Sequence, residues 1–168
     1  MTAPGLRIRP ATPADVPTIA MFIRDLARYE KLEHQVELDE GRLCEHLFGK
    51  VPACGALLAE WGGAAAGFAL FFPTYSTFKT AVCLHLEDLF VRPEHRGRGI
   101  GLGLLRALAA VAVERGCPRL DWQVLDWNVS AIGFYEKHGA RLLHDWRVCR
   151  LDGEALRRCA EAAPANGG

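Results

Sequence analysis

The segment from residue 80 to residue 116 constrains this chain most, because an apolar run leads through a basic, glycine-rich turn into a helical run. The turn is Arg96-Gly97-Arg98-Gly99-Ile100-Gly101. Glycines permit a tight turn and leave the backbone amides unshielded by Cβ atoms. The first amides of a helix have no internal partner and carry the positive end of the helix dipole. The segment therefore predicts a strand, an anion-binding turn suited to phosphate, and a helix that ends near Gly116.

Two common nucleotide motifs do not fit this turn. A P-loop requires Gly-Lys-Ser/Thr at its end, whereas Gly101 is followed by Leu102. A dinucleotide fingerprint starting at Gly97 lacks its third glycine, although Asp121 lies at the distance where such a motif has an acidic residue. On the turn alone, a loop that merely caps a helix stays open as an alternative.

The remaining pattern predicts a single α+β domain over residues 1–163 with a disordered tail over 164–168. Strands are predicted at 6–11, 54–61, 64–72, 80–91 and 119–127, with two more within 141–151. Helices are predicted from Pro13 to about Glu30, over 39–48, from the glycine-rich turn to Gly116, over 128–138 and after Gly153. Gly62-Gly63 predicts a hairpin, and Pro73 is expected to stop its second strand. The adjacent Glu87 and Asp88 interrupt an apolar strand and predict a β-bulge or a splay at this point.

Composition excludes several functional classes. Twenty basic and twenty acidic side chains give zero net charge, which argues against a nucleic-acid binder. The apolar runs are shorter than the ~20 residues that span a bilayer, and no signal pattern is present, so we expect a cytoplasmic protein without a membrane partner. The six cysteines lack metal-ligand spacing. We therefore expect reduced thiols and no metal.

The turn and its flanks together resemble the GNAT superfamily of N-acetyltransferases. Residues 86–97, LEDLFVRPEHRG, are similar to the family's central strand and the start of its pyrophosphate loop, which has the pattern Gln/Arg-x-x-Gly-x-Gly/Ala. Asn128, Ala131, Tyr135 and Gly139 match its second motif on the following helix, and residues 8–12 resemble its opening strand. The resemblance implies acetyl-CoA as cosubstrate and a mixed, mostly antiparallel sheet of about seven strands with a splayed central pair and helices on both faces.

Within the superfamily, the chain most resembles the spermidine/spermine (diamine) and thialysine N-acetyltransferases. The segments that carry this resemblance are LARYE (26–30), LED (86–88), LDWN (125–128) and DWR (145–147). It implies N-acetylation of a primary amine of a small molecule (a polyamine, a diamine or a thialysine-like amino acid) by a homodimer. No Cys or Ser lies in a nucleophile motif, so we expect direct attack in a ternary complex.

The resemblance also implies roles for individual residues. Tyr135 would be the acid that protonates the leaving thiolate, because a phenol with an ordinary pKa near ~10 carries its proton at neutral pH. Glu87 would be the base, acting through water, or the anchor of a cationic substrate. The implied cofactor-binding residues are Leu89, Phe90, Val91, Arg96, Gly97, Arg98, Gly99, Ile100, Gly101, Leu102, Asn128, Val129, Ser130, Ala131 and Tyr135. The implied substrate-binding residues are Tyr29, Glu30, Glu87, Asp121, Trp122 and Gln123.

Two alternatives remain open at this point. The acceptor could be a protein lysine or N-terminal amine, which needs an open groove where a small amine needs a closed acidic pocket. The chain could also be a sensor that binds acyl-CoA without catalysis, although the presence of both Tyr135 and Glu87 argues against it.

Overall fold

A computed structural model describes residues 5–162, so the predicted disordered tail at 164–168 lies outside the described residues. The strands are β1 (Leu6–Pro10), β2 (Gly55–Trp61), β3 (Ala64–Ser76), β4 (Ala81–Val91) and β5 (Leu120–Trp122). The α-helices are α1 (Val16–Glu30), α2 (Glu40–Phe48), α3 (Ile100–Glu114), α4 (Val129–Lys137) and α5 (Gly153–Glu161). All five predicted helices are present.

The sheet has the order β1-β2-β3-β4-β5. Its first three pairings are antiparallel, and β4 pairs with β5 in parallel. The parallel register joins Leu84–Leu86 to Leu120–Trp122 only. The second half of β4 therefore continues past its registered pairing with β5, and this half leads into the glycine-rich turn.

Two apolar clusters cover the two faces of the sheet, as predicted. On one face, Leu104 and Leu108 of α3 pack with Leu84 and Leu86 of β4; we call this the α3 face. On the other, residues of α1 and α2 pack with Phe68 of β3 and Phe90 of β4, and we call this the α1 face. Alternation along a strand sends successive side chains to opposite faces, which explains why one strand feeds both clusters.

The start of α1 is anchored by an ion-pair network. Thr12 precedes a single 3-10 turn, Pro13–Asp15, and its backbone N–H donates to the Asp15 carboxylate at 2.7 Å. Arg9 of β1 donates to both oxygens of the same carboxylate and also to Glu60 of β2. The Arg9 guanidinium holds the pKa of Asp15 well below its usual range. This network ties β1, β2 and α1 together, and the predicted helix start at Pro13 becomes a 3-10 turn before α1.

The chain divides into two compact units after Gln123. The first contains the whole sheet with α1, α2 and α3, and the second contains α4 and α5. The single domain expected over residues 1–163 stays a prediction.

The prediction of about seven strands is wrong, because residues 5–162 form five. Residues 141–151 contain no strand, and their large apolar side chains other than Leu142 are exposed, with Trp146 at 75% and Val148 at 66%. An alternating segment becomes a strand only when another strand pairs with it, and no pairing is registered here. The strand expected at 119–127 is likewise reduced to β5, because its pairing with β4 ends at Trp122.

Pro73 does not stop β3, contrary to expectation. The strand runs on to Ser76, and Pro73 is registered opposite Leu84 of β4. Pairing of β3 with β2 already ends at Phe71. Proline is tolerated at this position because β3 has only one neighbouring strand there, so the missing N–H breaks no ladder on the other side.

Three expectations from the sequence composition can be compared with the described residues. All six cysteines are free thiols. Among residues 5–162, no helix combines the length and apolar character that crossing a membrane requires. Within the same residues, no group of three or more His, Cys, Asp or Glu side chains is arranged to hold a metal ion.

Candidate active site

A β-bulge lies in the middle of β4, where the two adjacent acids predicted one. The register with β3 pairs Phe71 with Leu86 and Leu70 with Asp88, so Glu87 is the extra residue. The bulge resets the alternation of side chains. Leu86 and Leu89, three residues apart, both pack on the α3 face. Asp88 consequently lies on the α1 face with Phe90.

The bulge brings three carboxylates together at the end of α1. Burial, together with the charges of Glu87 and Glu30, raises the pKa of Asp88 to about 7. Glu30, in the last turn of α1, has its own pKa raised by burial. Three acids that repel one another are stabilised by a bound cation, and an alkylammonium group is a cation of suitable charge. Asp88 is not among the site residues predicted from the sequence. The signal was present in the adjacent acids inside a strand, whose side chains a bulge can direct to one pocket.

Asp88 predicts a pH dependence of stability that can be isolated. An unfolded aspartate titrates near ~3.9, whereas the folded-state pKa of Asp88 is about 7. Between these values the folded chain keeps a proton that the unfolded chain has lost, so this group makes the free energy of unfolding fall as pH rises and level off above pH ~7. We expect the free energy of unfolding of Asp88→Asn to match that of the original protein at pH ~4 and to exceed it by about 4 kcal/mol at pH ~8, because the folded and unfolded pKa values differ by about 3, at about 1.4 kcal/mol per pH unit.

Urea unfolding at a series of pH values measures this difference. Asp145→Asn, at an exposed aspartate, is the matched control and is expected to follow the pH profile of the original protein. An unchanged pH profile for Asp88→Asn would show that the carboxyl is not held in a protonated state.

His85 lies beside the bulge. Its Nε2 is 3.8 Å from a carboxylate oxygen of Glu87, and its ring lies 5.0 Å from the ring of Phe72. In the parallel ladder His85 is registered with Asp121, which accepts a hydrogen bond from Arg119 at 2.6 Å. The imidazole is therefore close to Glu87 but beyond direct hydrogen-bond distance, whereas Arg119 pairs directly with Asp121.

The glycine-rich turn leads from a 3-10 turn, Pro93–His95, into α3. Gly97 and Gly99 have φ values of 75° and 79°, in the left-handed region that favours glycine, and a Cβ at either position would meet no atom within 4 Å. Gly99 precedes α3 without a side-chain cap, and the first helical bond is from Gly103 to its carbonyl. The amides of Ile100, Gly101 and Leu102 thus have no acceptor within the helix and border open space, which suits a phosphate group.

The two arginines of the turn extend to different faces. The guanidinium carbon of Arg96 is 4.7 Å from the centre of the Tyr29 ring, at the end of α1. That of Arg98 is 5.5 Å from the ring of Trp61, which packs with the α3-face cluster. The Arg96 Nε also donates to the carbonyl of Val91 at 3.0 Å.

Leu89, Phe90 and Val91 form the end of β4 and are registered with β3. Phe90 is buried, whereas Leu89 and Val91 are half-buried against the α3-face cluster. Because the registered pairing with β5 ends at Leu86, the edge of β4 beyond that residue is the one to which an extended ligand could add like a further strand.

The other predicted donor-side residues belong to the C-terminal unit. Asn128 caps α4, and its side-chain oxygen accepts a hydrogen bond from the amide of Ala131 at 3.2 Å. Val129 and Ser130 are exposed in the first turn of the helix. Tyr135 is half-buried, and its ring meets that of Phe134 edge-on at 5.2 Å.

The predicted acceptor residues divide into two groups. Tyr29, Glu30 and Glu87 lie around the end of α1 and the bulge. In β5, Trp122 packs with the α3-face cluster, away from the acids, and Asp121 faces His85 in the register. Gln123 is exposed after β5. The structure therefore joins the acids of α1 and β4, and it does not bring Trp122 to them.

Comparison with known proteins agrees with this architecture. Residues 20–140 match the family model described as "Acetyltransferase (GNAT) family". The thialysine N-epsilon-acetyltransferase of Bos taurus is 39% identical over 164 residues, covering 91% of this chain and 96% of that protein. The L-ornithine N5-acetyltransferase NATA1 of Arabidopsis thaliana is 35% identical, covering 90% of this chain and 86% of that protein. Among solved structures, an integron cassette protein from the mobile metagenome of V. cholerae superposes with a TM-score of 0.77 at 28% identity, covering 94% of this chain and 99% of the other.

Proposed function

Because this chain belongs to the GNAT family of acetyltransferases, we propose that it transfers an acetyl group from acetyl-CoA to a primary amine of a small molecule. The acceptor is a polyamine, a diamine or an amino acid with an amine at the end of its side chain. The observation that carries this proposal is the grouping of Glu30, at the end of α1, with Glu87 and Asp88 of β4. The strand β4 leads into the glycine-rich turn. The thialysine and ornithine enzymes named above support it, since both names denote amino acids with a side-chain amine.

On the donor side, the turn and the end of β4 suit the two polar parts of coenzyme A. The amides of Ile100, Gly101 and Leu102, at the open space beside Gly97 and Gly99, would bind the diphosphate. The backbone of Leu89 to Val91 would pair with the amides of the pantetheine arm. The thioester supplies the activated acetyl group.

The proposed reaction is direct attack of the amine on the thioester carbonyl. The new C–N bond forms as the C–S bond breaks. The proton lost by the amine passes to Glu87 through water, and a further water would carry it to His85, whose Nε2 lies 3.8 Å from Glu87. The phenol of Tyr135 donates its proton to the departing thiolate. Holding both reactants in one complex contributes to the rate by orienting them.

The acidic cluster would set the preference among amines. A substrate with a second positive charge gains attraction from Asp88 and Glu30 while its reacting nitrogen lies at Glu87. A monoamine with an apolar tail loses that attraction. We therefore expect diamines, polyamines and diamino acids to have lower KM values than alkyl monoamines of equal length.

Release of free thiol from acetyl-CoA with a panel of amines tests the proposed function. The panel contains polyamines, diamines, ornithine, lysine, thialysine and alkyl monoamines, together with lysine-containing peptides. Saturable acetylation of the small dications is the expected result. Acetylation of the peptides alone would replace the proposal by a protein acetyltransferase, and binding of acetyl-CoA without any turnover would replace it by a sensor.

We also propose that the protein is a cytoplasmic homodimer with a contact that includes residues 141–151. Leu143, Trp146, Val148 and Leu151 are exposed there on an alternating segment, and a partner chain would cover them. We expect Trp146→Glu to shift the mass measured by light scattering toward that of one chain. Val51→Glu, which introduces the same charge at an apolar side chain that is 86% exposed outside this segment, is the control. A monomeric original protein would contradict the dimer.

A further inference from the structure

The side chain of Arg96 makes three contacts, and their partners belong to β4 and α1. Its Nε donates to the Val91 carbonyl at 3.0 Å. Its guanidinium carbon lies 4.7 Å from the centre of the Tyr29 ring and 6.0 Å from that of Phe90. These contacts join the beginning of the glycine-rich turn to the end of β4 and the last turn of α1.

Unlike Arg96, the other arginine of the glycine-rich turn does not extend toward Tyr29. Arg98, two residues further on, lies over Trp61 at the end of β2, on the α3 face. Tyr29 belongs to α1 and precedes Glu30 directly. Of these two arginines, only Arg96 contacts the helix end that carries part of the acidic cluster.

The position of Tyr29 affects the amine site because Tyr29 and Glu30 share the last helical turn. The helix ends at Glu30, and its C-cap Lys31 has a left-handed φ of 61°. This backbone conformation lets the amides of Lys31 and Leu32 donate back to the carbonyls of Arg28 and Ala27, at 3.2 Å and 2.8 Å. A planar guanidinium stacked on the Tyr29 ring restrains the turn from outside the helix. The carboxyl of Glu30 is then held near Asp88, whose pKa responds to it.

We propose that the Arg96 side chain is a positioning residue for the amine acceptor, while the backbone of its loop serves the acyl donor. It acts through Tyr29, which it holds at the end of α1, and so links the loop that binds the donor to the helix end that binds the acceptor. This inference rests on the proposed acetylation of an amine.

A double-mutant cycle tests the link. The four proteins are the original, Arg96→Met, Tyr29→Leu and the double variant; methionine keeps the length and bulk of the arginine stem without its charge. Measured quantities are the KM of the best dicationic amine, kcat, and the Kd of acetyl-CoA by calorimetry. Each single change is expected to raise the amine KM about five- to tenfold, and the double variant is expected to fall about threefold short of the product of the two, as for a guanidinium stacked on an aromatic ring.

Two further variants test whether the effect depends on more than the positive charge, and whether it is specific to residue 96. Arg96→Lys keeps the positive charge and is expected to recover part of the amine KM. Arg98→Met removes the same groups two residues away, and its effect on the amine KM is expected to multiply with that of Tyr29→Leu, without coupling. Circular dichroism and melting curves confirm folding, and Arg96→Lys remains available should the methionine variant fail to fold.

The outcomes distinguish this inference from the proposed function. Independent, multiplicative effects of Arg96→Met and Tyr29→Leu in an active enzyme would overturn the positioning role alone. The positioning role would also be overturned if Arg96→Met weakened the binding of acetyl-CoA and left the amine KM unchanged. An original protein that acetylates no amine would overturn the proposed function and this inference with it.

Discussion

Replacing Tyr135 by phenylalanine is expected to lower kcat about 100-fold, the scale of a lost general acid. The hydroxyl is the only group removed, so the leaving thiolate must then take its proton from water. The aromatic ring stays, and with it the edge-on contact with Phe134 at 5.2 Å. We therefore expect the melting temperature and the Kd of acetyl-CoA to change little. Steady-state kinetics with saturating amine, together with calorimetric binding of acetyl-CoA, measure both quantities.

Tyr75→Phe provides the matched control. Tyr75 is 60% exposed near the end of β3, and nothing in the proposed reaction uses its hydroxyl. A kcat of Tyr135→Phe equal to that of this control would remove Tyr135 from the acid role. The family assignment would stand in that case, and the source of the proton would have to be sought elsewhere.

Replacing Glu87 by glutamine is expected to lower kcat/KM for the amine about 100-fold near neutral pH, because the amide cannot accept the proton of the ammonium. The defect should shrink as pH rises. Alkylamines titrate near pH ~10. Below that pH, each increase of one pH unit raises the fraction of neutral amine about tenfold, so the base becomes less necessary. The bulge itself should survive, since glutamine has the shape of glutamate and the position is exposed.

Profiles of kcat/KM from pH ~6 to ~10 check this expectation. Glu114→Gln, at the exposed end of α3, controls for the loss of one surface charge. A defect of constant size at all pH values would assign Glu87 to binding of a cationic substrate without a role in proton transfer. No defect at any pH would contradict both roles.

Local patterns predicted much of this structure. The glycine-rich turn, the Gly62-Gly63 hairpin and the cap at Asn128 depend on residues close in sequence, and the structure contains all three. The bulge at Glu87 was predictable for the same reason, because two adjacent acids cannot alternate cleanly inside an apolar strand.

Features that depend on distant partners were harder to predict. Residues 141–151 alternate as a strand does, yet the structure registers no pairing for them. Pro73 continues a strand because β2 has already ended beside it. Burial is the main cause of the raised pKa of Asp88, but part of the rise comes from Glu30, and the stacking of Arg96 requires Tyr29. Each pair is separated by more than fifty residues, and no local pattern connects its members.

Titration of acetyl-CoA into the purified protein in a calorimeter tests the account most directly, with Gly99→Ala and Gly62→Ala beside the original. A Cβ at Gly99 enters the open space beside the donor amides and strains a backbone with φ of 79°, while Gly62 has a similar φ of 59° in the β2–β3 hairpin. We expect saturable binding of one acetyl-CoA per chain, weakened at least tenfold in Gly99→Ala and unchanged in Gly62→Ala. Folded original protein that releases no heat with acetyl-CoA, or equal binding by Gly99→Ala, would contradict it.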